Sequence, residues 1–390
     1  MTLLPFEYAV RNLGRSRVRL ALSVLGCALV VLLVLAAGSF VRGMGLAIGA
    51  TGGEYNAIIL GTGSEESVER SEVGAAVAGL AAASIPGVRT RAGAVYVSPE
   101  VHVQMPLRTQ SGEEQGPLVL VRGVTPSALL VHSSVRIVEG RFPSAGAEEL
   151  LVGAAAATRI GADQADLAVG RSLDIDGRPW RIVGRFASPG TVVEAEVWTD
   201  LYDLKTTTKR ETDSCVVVTL DPRFAEFADV DVFAKSRVDL ELTAIGETEY
   251  YARLAGFFAP IRAVAWTTAA LIGLGGLFGG LNTMYAAFAS RIRELGTLQS
   301  LGFQRGAIVV SLVQESVLAT AAGALTACAI AVMVLDGVAV RFSMGVFGLT
   351  VDAPVLAVGL GAGLALGIVG ALPPAWRCLR MPIPLALKAV

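Results

Sequence analysis

Leu20–Val41 reads LALSVLGCALVVLLVLAAGSFV, 22 residues without a charged side chain. A helix rises about 1.5 Å per residue, so about 20 apolar residues cross the roughly 30 Å hydrocarbon core of a bilayer. Three more uncharged stretches follow: Ala263–Ser290 (28 residues), Ser316–Leu335 (20) and Ala353–Trp376 (24). All four are expected to be membrane spans. Between the first and the second lie the 221 residues Arg42–Arg262. One span, one large polar domain and then three spans exclude an ordinary soluble enzyme.

Charge gives the direction. The polar domain carries 21 Lys/Arg and 29 Asp/Glu, a local net of −8, and the remainder carries 11 and 5, a net of +6. The overall −2 points to no nucleic-acid partner. Arg11, Arg15, Arg17 and Arg19 precede span one. Arg291, Arg293 and Arg305 follow span two, and Arg377, Arg380 and Lys388 follow span four. Only Arg341 falls on the other side, between spans three and four. Basic loops stay in the cytoplasm. The chain is therefore expected to be multi-pass, with both termini cytoplasmic and the large domain periplasmic or extracellular; its Arg-rich usage and the absence of a disulfide pair in the outer domain point to a bacterium, and so to the inner (plasma) membrane. A cleaved signal peptide is the competing reading of span one. Its apolar core is too long, and Ala36-Ala37-Gly38 is a weak cleavage pattern.

The expected architecture is an integral membrane α-helical protein with four transmembrane helices. A large mixed α/β extracytoplasmic domain lies between helices one and two. In residue numbers this is an interfacial helix (1–19), span one (20–41), the outer domain (42–262), span two with a cytoplasmic extension (263–290), a cytoplasmic loop (291–305), span three (306–335), a short outer loop (336–352), span four (353–376) and a cytoplasmic tail (377–390). Pro5–Arg17 has Phe6, Val10 and Leu13 at helical spacing and arginines on another face. It suits a helix lying in the membrane interface; a solvated basic tail is the plainer alternative. Cys215 is the only cysteine of the outer domain, so no disulfide closes within it.

Within the outer domain, strands are expected at Tyr55–Leu60, Ala94–Met105, Leu118–Val124, Glu149–Gly153 and Cys215–Leu220, and helices at Val68–Ala83 and Ala244–Phe258. Ser172–Phe186 alternates around Asp176-Gly177, the pattern of a hairpin with a tight turn. Residues 110–117 read as a loop.

Groups able to carry out catalysis are scarce. The two histidines, His102 and His132, have no metal-ligand spacing, and no zinc site is expected. There is no G-x-S-x-G elbow and no G-x-x-x-x-G-K-[ST] phosphate loop. Gly61-Thr62-Gly63-Ser64 lacks the lysine of such a loop and reads as a turn. The chain is expected to be no enzyme and to hold no cofactor. Glu113-Glu114 and Glu148-Glu149 read as solvated charge.

Span two contains the small-residue pairs Gly275/Gly279 and Gly276/Gly280, which permit close helix approach; glycine is also simply common in spans. Glu315 opens span three, where it faces a cytoplasmic vestibule, pairs with an arginine of the preceding loop, or snorkels to the interface. The loop after span two places Gly296 and Gly302 around the short apolar run Thr297–Leu301. Leu298 and Leu301, exposed there, suit docking into another protein.

The run from Asn282 to Gly302 (NTMYAAFASRIRELGTLQSLG) resembles the MacB/FtsX/LolC group of ABC transporter permeases, the type VII or mechanotransmission class. That pattern has N-x-M near the end of the second span, continues R-x-R-E-[IL]-G-x-[LM]-x-[AS]-[LIV]-G, and opens the third span with a glutamate. Asn282, Met284, Arg291, Arg293, Glu294, Leu295, Gly296, Leu298, Ser300, Leu301, Gly302 and Glu315 match it. The ending Pro374–Lys388 and the start Ala9–Ser23 also resemble the family, with Cys378 where the family has alanine. Val169–Phe186 resembles its strand pair before the return to the membrane.

The resemblance implies that two such chains, or this chain and a related permease, pair through spans one and two, and that each binds a cytoplasmic ATPase subunit holding ATP and Mg²⁺. Arg293, Glu294, Leu295, Gly296, Leu298, Leu301 and Gly302 then form the coupling helix, and ATPase motion passes along span two to the outer domain. The implied work is export or extraction of a lipid, lipoprotein, peptide or drug, with a periplasmic adaptor or substrate protein as further partner. The alternative is a non-transporting regulator that relays ATPase motion to an extracytoplasmic hydrolase or sensor. A membrane-anchored enzyme is a third reading.

Overall fold

The computed structural model describes residues 6–15, 17–109, 116–342 and 345–388. The loop expected at 110–117 therefore lies outside the described residues except for Gly116 and Pro117, as do Pro5 and Ser16 of the amino-terminal segment. The chain begins with α1 (Phe6–Arg15) and α2 (Arg17–Gly49). There follow β1 (Asn56–Gly61), α3 (Val77–Ser84), β2 (Thr90–Arg91), β3 (Ala94–Val95), β4 (Val97–Thr109), β5 (Leu118–Val124), α4 (Ala128–Val131), β6 (Arg136–Gly140), β7 (Glu149–Gly153) and α5 (Ala156–Ile160). Next come β8 (Ser172–Ile175), β9 (Arg178–Ala187), β10 (Val197–Asp200), α6 (Leu201–Thr208), β11 (Cys215–Thr219), α7 (Phe227–Ser236), β12 (Leu242–Gly246) and α8 (Glu247–Phe257). The chain ends with α9 (Ala259–Ala289), α10 (Ile292–Ser300), α11 (Arg305–Ile330), β13 (Ala339–Phe342), β14 (Gly345–Gly348), α12 (Ala353–Leu379) and α13 (Ile383–Lys388).

These elements form two compact units. One is helical, built from Met1–Gly43, Pro260–Val338 and Leu349–Val390; the other is α/β, built from Met44–Ala259 and Ala339–Gly348. Among the described residues, four helices are long and apolar enough to cross a membrane: Arg17–Gly49, Ala259–Ala289, Arg305–Leu335 and Ala353–Leu379. Each outlasts its uncharged window, because helix continues through flanking polar residues. In the helical unit Val31, Leu35, Ala324, Ala327 and Ala331 pack with Val355. Small residues set that spacing: a Cβ at Gly363 of α12 would lie 2.6 Å from the Cβ of Ala324 in α11.

In the α/β unit, strands run β12-β1-β11-β4-β5-β10-β7-β9-β6. The 13-residue β4 belongs to two arrangements at once. Its first half pairs with β11, completing a four-stranded antiparallel sheet with β1 and β12. Further along it pairs with β5, and at Leu107–Thr109 with β8. Because β8 also pairs with β9, strands β4, β5, β10, β7, β9 and β8 close into a ring. Alternate side chains fill it, among them Val121, Leu150, Ile175, Trp180, Ile182 and Val197. β1 is buried on both faces, so it reads as an unbroken apolar run rather than an alternating one. Ala57 and Ile59 face one core, shared with Phe233 of α7, and Ile58 and Leu60 face another.

Several expectations need correction. The helix expected at Val68–Ala83 is a single 3₁₀ turn, Val68–Arg70, followed by extended backbone and then α3. Val73 exchanges two backbone hydrogen bonds of 2.8 Å with Asp213, which holds it out of any helix. Ala244–Gly246 end β12 and pair with β1, so the helix there starts only at Glu247. The strand expected at Ala94–Met105 is broken: Ala94–Val95 pairs with Thr90–Arg91, and β4 begins at Val97. The outer loop 336–352 contains the hairpin β13–β14, which belongs to the α/β unit. Its Phe342 carbonyl accepts a 2.6 Å hydrogen bond from Arg159. The β8–β9 hairpin forms as the sequence indicates, with Asp176 and Gly177 at φ 51° and 78°.

Candidate functional site

The loop after α9 folds into α10, whose first turn carries Glu294, the favourable sign for a helix start. Gly296 lies inside this helix, not at its edge as the sequence suggested. It faces α13, where a Cβ would lie 3.0 Å from that of Ala386. Leu295 is 2% exposed. Leu298 is not the exposed residue it was expected to be: it is half-buried against the apolar cluster that includes Leu295, because helical periodicity turns it to the same side. Leu301 is 72% exposed, and Arg293 is exposed as well. The helix ends in a Schellman motif: Phe303 N–H donates to Leu298 O, and Gly302 N–H to Gln299 O. Gly302 adopts φ +92°, a conformation open to glycine at little cost.

Ion pairs tie this helix to its neighbours. Arg291 donates to Glu294 at 3.2 Å and to one oxygen of Glu315 at 2.9 Å. The other oxygen of Glu315 accepts from Arg19 of α2 at 3.0 Å, and Glu294 accepts from Arg15 of α1 at 3.1 Å. The Glu315 side chain is only 9% exposed. Of the readings open to it, arginine pairing describes the geometry.

The glycines of span two differ from one another. A Cβ at Gly276 would lie 2.6 Å from a methyl of Val30 in α2, so this glycine permits the α2–α9 approach. Gly275, Gly279 and Gly280 have no neighbour within 4 Å of such a Cβ. Gly279 and Gly280 line an apolar cleft of about 440 Å³ together with Gly26, Thr283 and Thr320.

A second constellation, which sequence reasoning missed, lies inside the α/β unit. Glu100 of β4 is fully buried. One of its oxygens meets Nε2 of His102 at 3.0 Å and Nη1 of Arg122 at 2.9 Å; the other meets Nε2 of His132 at 2.7 Å. Arg122 also forks onto Glu196 at 2.8 and 2.6 Å, and Glu196 accepts from the Trp198 indole. His132 Nδ1 faces Glu247 at 3.7 Å, and Glu247 accepts from Gly53 N–H and Asn56. Burial by itself would raise the Glu100 carboxyl, yet His132 and Arg122 outweigh it and hold it well below the usual carboxylate range. Burial would lower the His132 imidazole; Glu100 and Glu247 prevail and raise it. Burial and Arg122 together lower His102. A readable signal existed: Glu100 and His102, two apart on a strand, share a face, and His102 pairs in register with Arg122.

Donor atoms of Glu100, His102 and Cys215 lie within 4.8 Å of one another, closer than their sequence spacing suggested. They do not fit a cation. The Arg122 guanidinium already occupies the carboxylate, and burial pushes the Cys215 thiol well up, keeping it neutral.

Four membrane-length apolar helices among the described residues, together with an α/β unit, fit an integral membrane protein with a folded polar domain. Residues 20–234 match the MacB-like periplasmic core domain and residues 266–383 the FtsX-like permease C-terminal domain, so the chain belongs to the MacB/FtsX family of ABC transporter permeases. Two solved structures are similar. The periplasmic region of MacB from Actinobacillus actinomycetemcomitans is 10% identical over 53% of this chain and 94% of that one, with a TM-score of 0.40. The extracellular domain of the noncanonic ABC-type transporter YknZ from Gram-positive bacteria is 16% identical over 49% and 99%, with a TM-score of 0.37. A comparison with curated proteins gave no significant match.

Proposed function

We propose that this chain is the permease subunit that couples ATP hydrolysis by a separate cytoplasmic ATPase to movement of its extracytoplasmic domain. The work done is export or extraction of a lipid, lipoprotein, peptide or drug. In this reading the termini and α10 are cytoplasmic, the α/β unit lies outside the inner membrane, and a second permease copy or a related permease completes the complex. ATP and Mg²⁺ belong to the partner. A periplasmic adaptor or substrate protein meets the α/β unit.

One observation carries the reading: α10 is a short amphipathic helix anchored on its buried side by Leu295 and Gly296 and ended by a Schellman turn that presents Leu301 to solvent. An exposed leucine at a rigid tip supplies the apolar anchor that a docking groove needs. Arg293, exposed in the first turn of the same helix, adds a charge at its other end.

The test is purification of the full chain from native membranes with its stoichiometric partners, then reconstitution of wild type and Leu301→Asp. A P-loop ATPase should accompany the wild type, and permease-stimulated ATP hydrolysis should vanish with Leu301→Asp while the melting temperature is unchanged. Leu298→Asp is the weaker choice, since that side chain is half-buried in the fold. Full stimulation by Leu301→Asp would remove the docking role.

A further inference from the structure

Glu315 sits on α11 and answers two different helices with its two oxygens. Arg19, near the start of α2, takes one at 3.0 Å; Arg291, which immediately precedes α10, takes the other at 2.9 Å. All three side chains are largely withdrawn from solvent, at 25%, 9% and 11% exposure for Arg19, Glu315 and Arg291. Arg291 reaches further, to Glu294 in the first turn of α10, and its Nη2 has no acceptor among the described residues.

Stability alone does not call for such a triad. Withdrawing two guanidiniums and a carboxylate from water costs several kcal/mol per ion, and well-packed apolar residues of similar volume are often as stable or more so. What a shared carboxylate does provide is register. Two arginines that use one carboxylate must keep their helices at a fixed separation from the same point. The exposed Arg15–Glu294 pair, at 68% and 44%, is open to water and salt and contributes little by comparison.

We propose that Glu315 is a positioning residue that yokes α10 to α2, through Arg291 on one side and Arg19 on the other. The proposal rests on the permease reading above in one respect only, that α10 is where the ATPase pushes. Displacement of α10 then moves Arg291, and Glu315 hands that displacement to Arg19 and the first span. Arg19→Gln cuts the α2 end while leaving Glu315 its partner Arg291. Glu315→Gln cuts both ends, and Glu315→Asp keeps the charge on a shorter stem.

The experiment has two arms in the full chain. In the first, spin labels at Thr297→Cys on α10 and Leu22→Cys on α2, both exposed sites, report the α10–α2 distance distribution in nanodiscs without any partner. The expected result is a narrow distribution in the parent, a broadened one in Arg19→Gln and Glu315→Gln, and recovery in Glu315→Asp. In the second arm the co-purified ATPase is added. Arg19→Gln should bind it with unchanged affinity while the stimulated rate falls on the order of tenfold, the scale of a typical coupling energy. A distribution left unchanged by both Arg19→Gln and Glu315→Gln overturns the yoke, whatever the ATPase does, and so does parallel loss of affinity and stimulation. If the parent chain stimulates no ATPase but the distance arm behaves as expected, the yoke stands and the permease reading is what fails. Should Glu315→Gln not fold, Arg19→Gln alone decides the first arm.

Discussion

His132 Nε2 lies 2.7 Å from a carboxylate oxygen of Glu100, and the other nitrogen of the same ring faces Glu247 at 3.7 Å. An imidazole with a carboxylate at each nitrogen is a bridge that works best when doubly protonated. It links β4 of the strand ring to the first residue of α8.

That bridge makes stability depend on pH. His132 is raised in the folded state, so its contribution is complete below the ordinary imidazole pKa of about 6.5 and is lost as pH climbs through the raised value. His102 is lowered, so its contribution is present above that ordinary value and is lost as pH falls through the depressed one. His132→Gln should flatten the alkaline loss and His102→Gln the acid one. Melting curves of the full chain from pH 5 to 9 check this, and identical profiles for the two variants would contradict it.

Among the described residues, Arg122 is the one guanidinium paired with Glu100 and Glu196. Arg122→Gln removes the guanidinium from two buried carboxylates, leaving Glu100 with the two histidines and Glu196 with the Trp198 indole, and should cost about 3–5 kcal/mol. Denaturant unfolding followed by Trp198 fluorescence, whose ring lies 5.6 Å from the Arg122 guanidinium, measures it. A loss below about 1 kcal/mol, the range of an exposed pair, would mean that water reaches the cluster.

Two glycines of one helix should respond oppositely to the same change. Gly276→Ala places a methyl 2.6 Å from Val30 and should destabilise by about 1–3 kcal/mol through overpacking. Gly279→Ala meets nothing within 4 Å and should be neutral or stabilise by up to about 1 kcal/mol, the helix-propensity gain of alanine. Thermal melts in detergent compare them. If Gly279→Ala proves as costly as Gly276→Ala, a second molecule covers that face.

Gly302→Ala forces a side chain into φ +92° and should cost about 1 kcal/mol at the end of α10. The Phe303 amide, bonded to Leu298 O, should then exchange hydrogen faster, while the amides of α11 keep their protection.

The spans were legible because a bilayer imposes a length and a polarity that no tertiary context overrides, and Leu20–Val41 meets both. The β8–β9 hairpin was legible because Asp176-Gly177 encodes its turn locally. Elements dependent on distant partners were not. Val73 is strand-like only because Asp213 comes to it, and Leu242–Gly246 is a strand only because β1 lies beside it. α6 carries a local start signal too, an aspartate at its N-cap, where Asp200 accepts from the amides of Tyr202 and Asp203. At the site, the residue types of α10 were readable, while the direction each leucine faces was not. The Glu100 cluster was legible only in the Glu100/His102 spacing on one strand face; its other members come from β5, α8, the start of β10 and the turn after α4, which only the fold assembles.

The ring of six strands has no edge. Along the hydrogen-bonded path of this sheet, among the described residues, free strand edges remain at its two ends, β12 and β6. Any protein that grips the α/β unit by lengthening its sheet must therefore join at one of those two borders. β6, with Val138 63% exposed, is the more accessible of them. Elsewhere along this sheet the domain offers side chains rather than backbone, and recognition there depends on sequence in a way that strand addition does not.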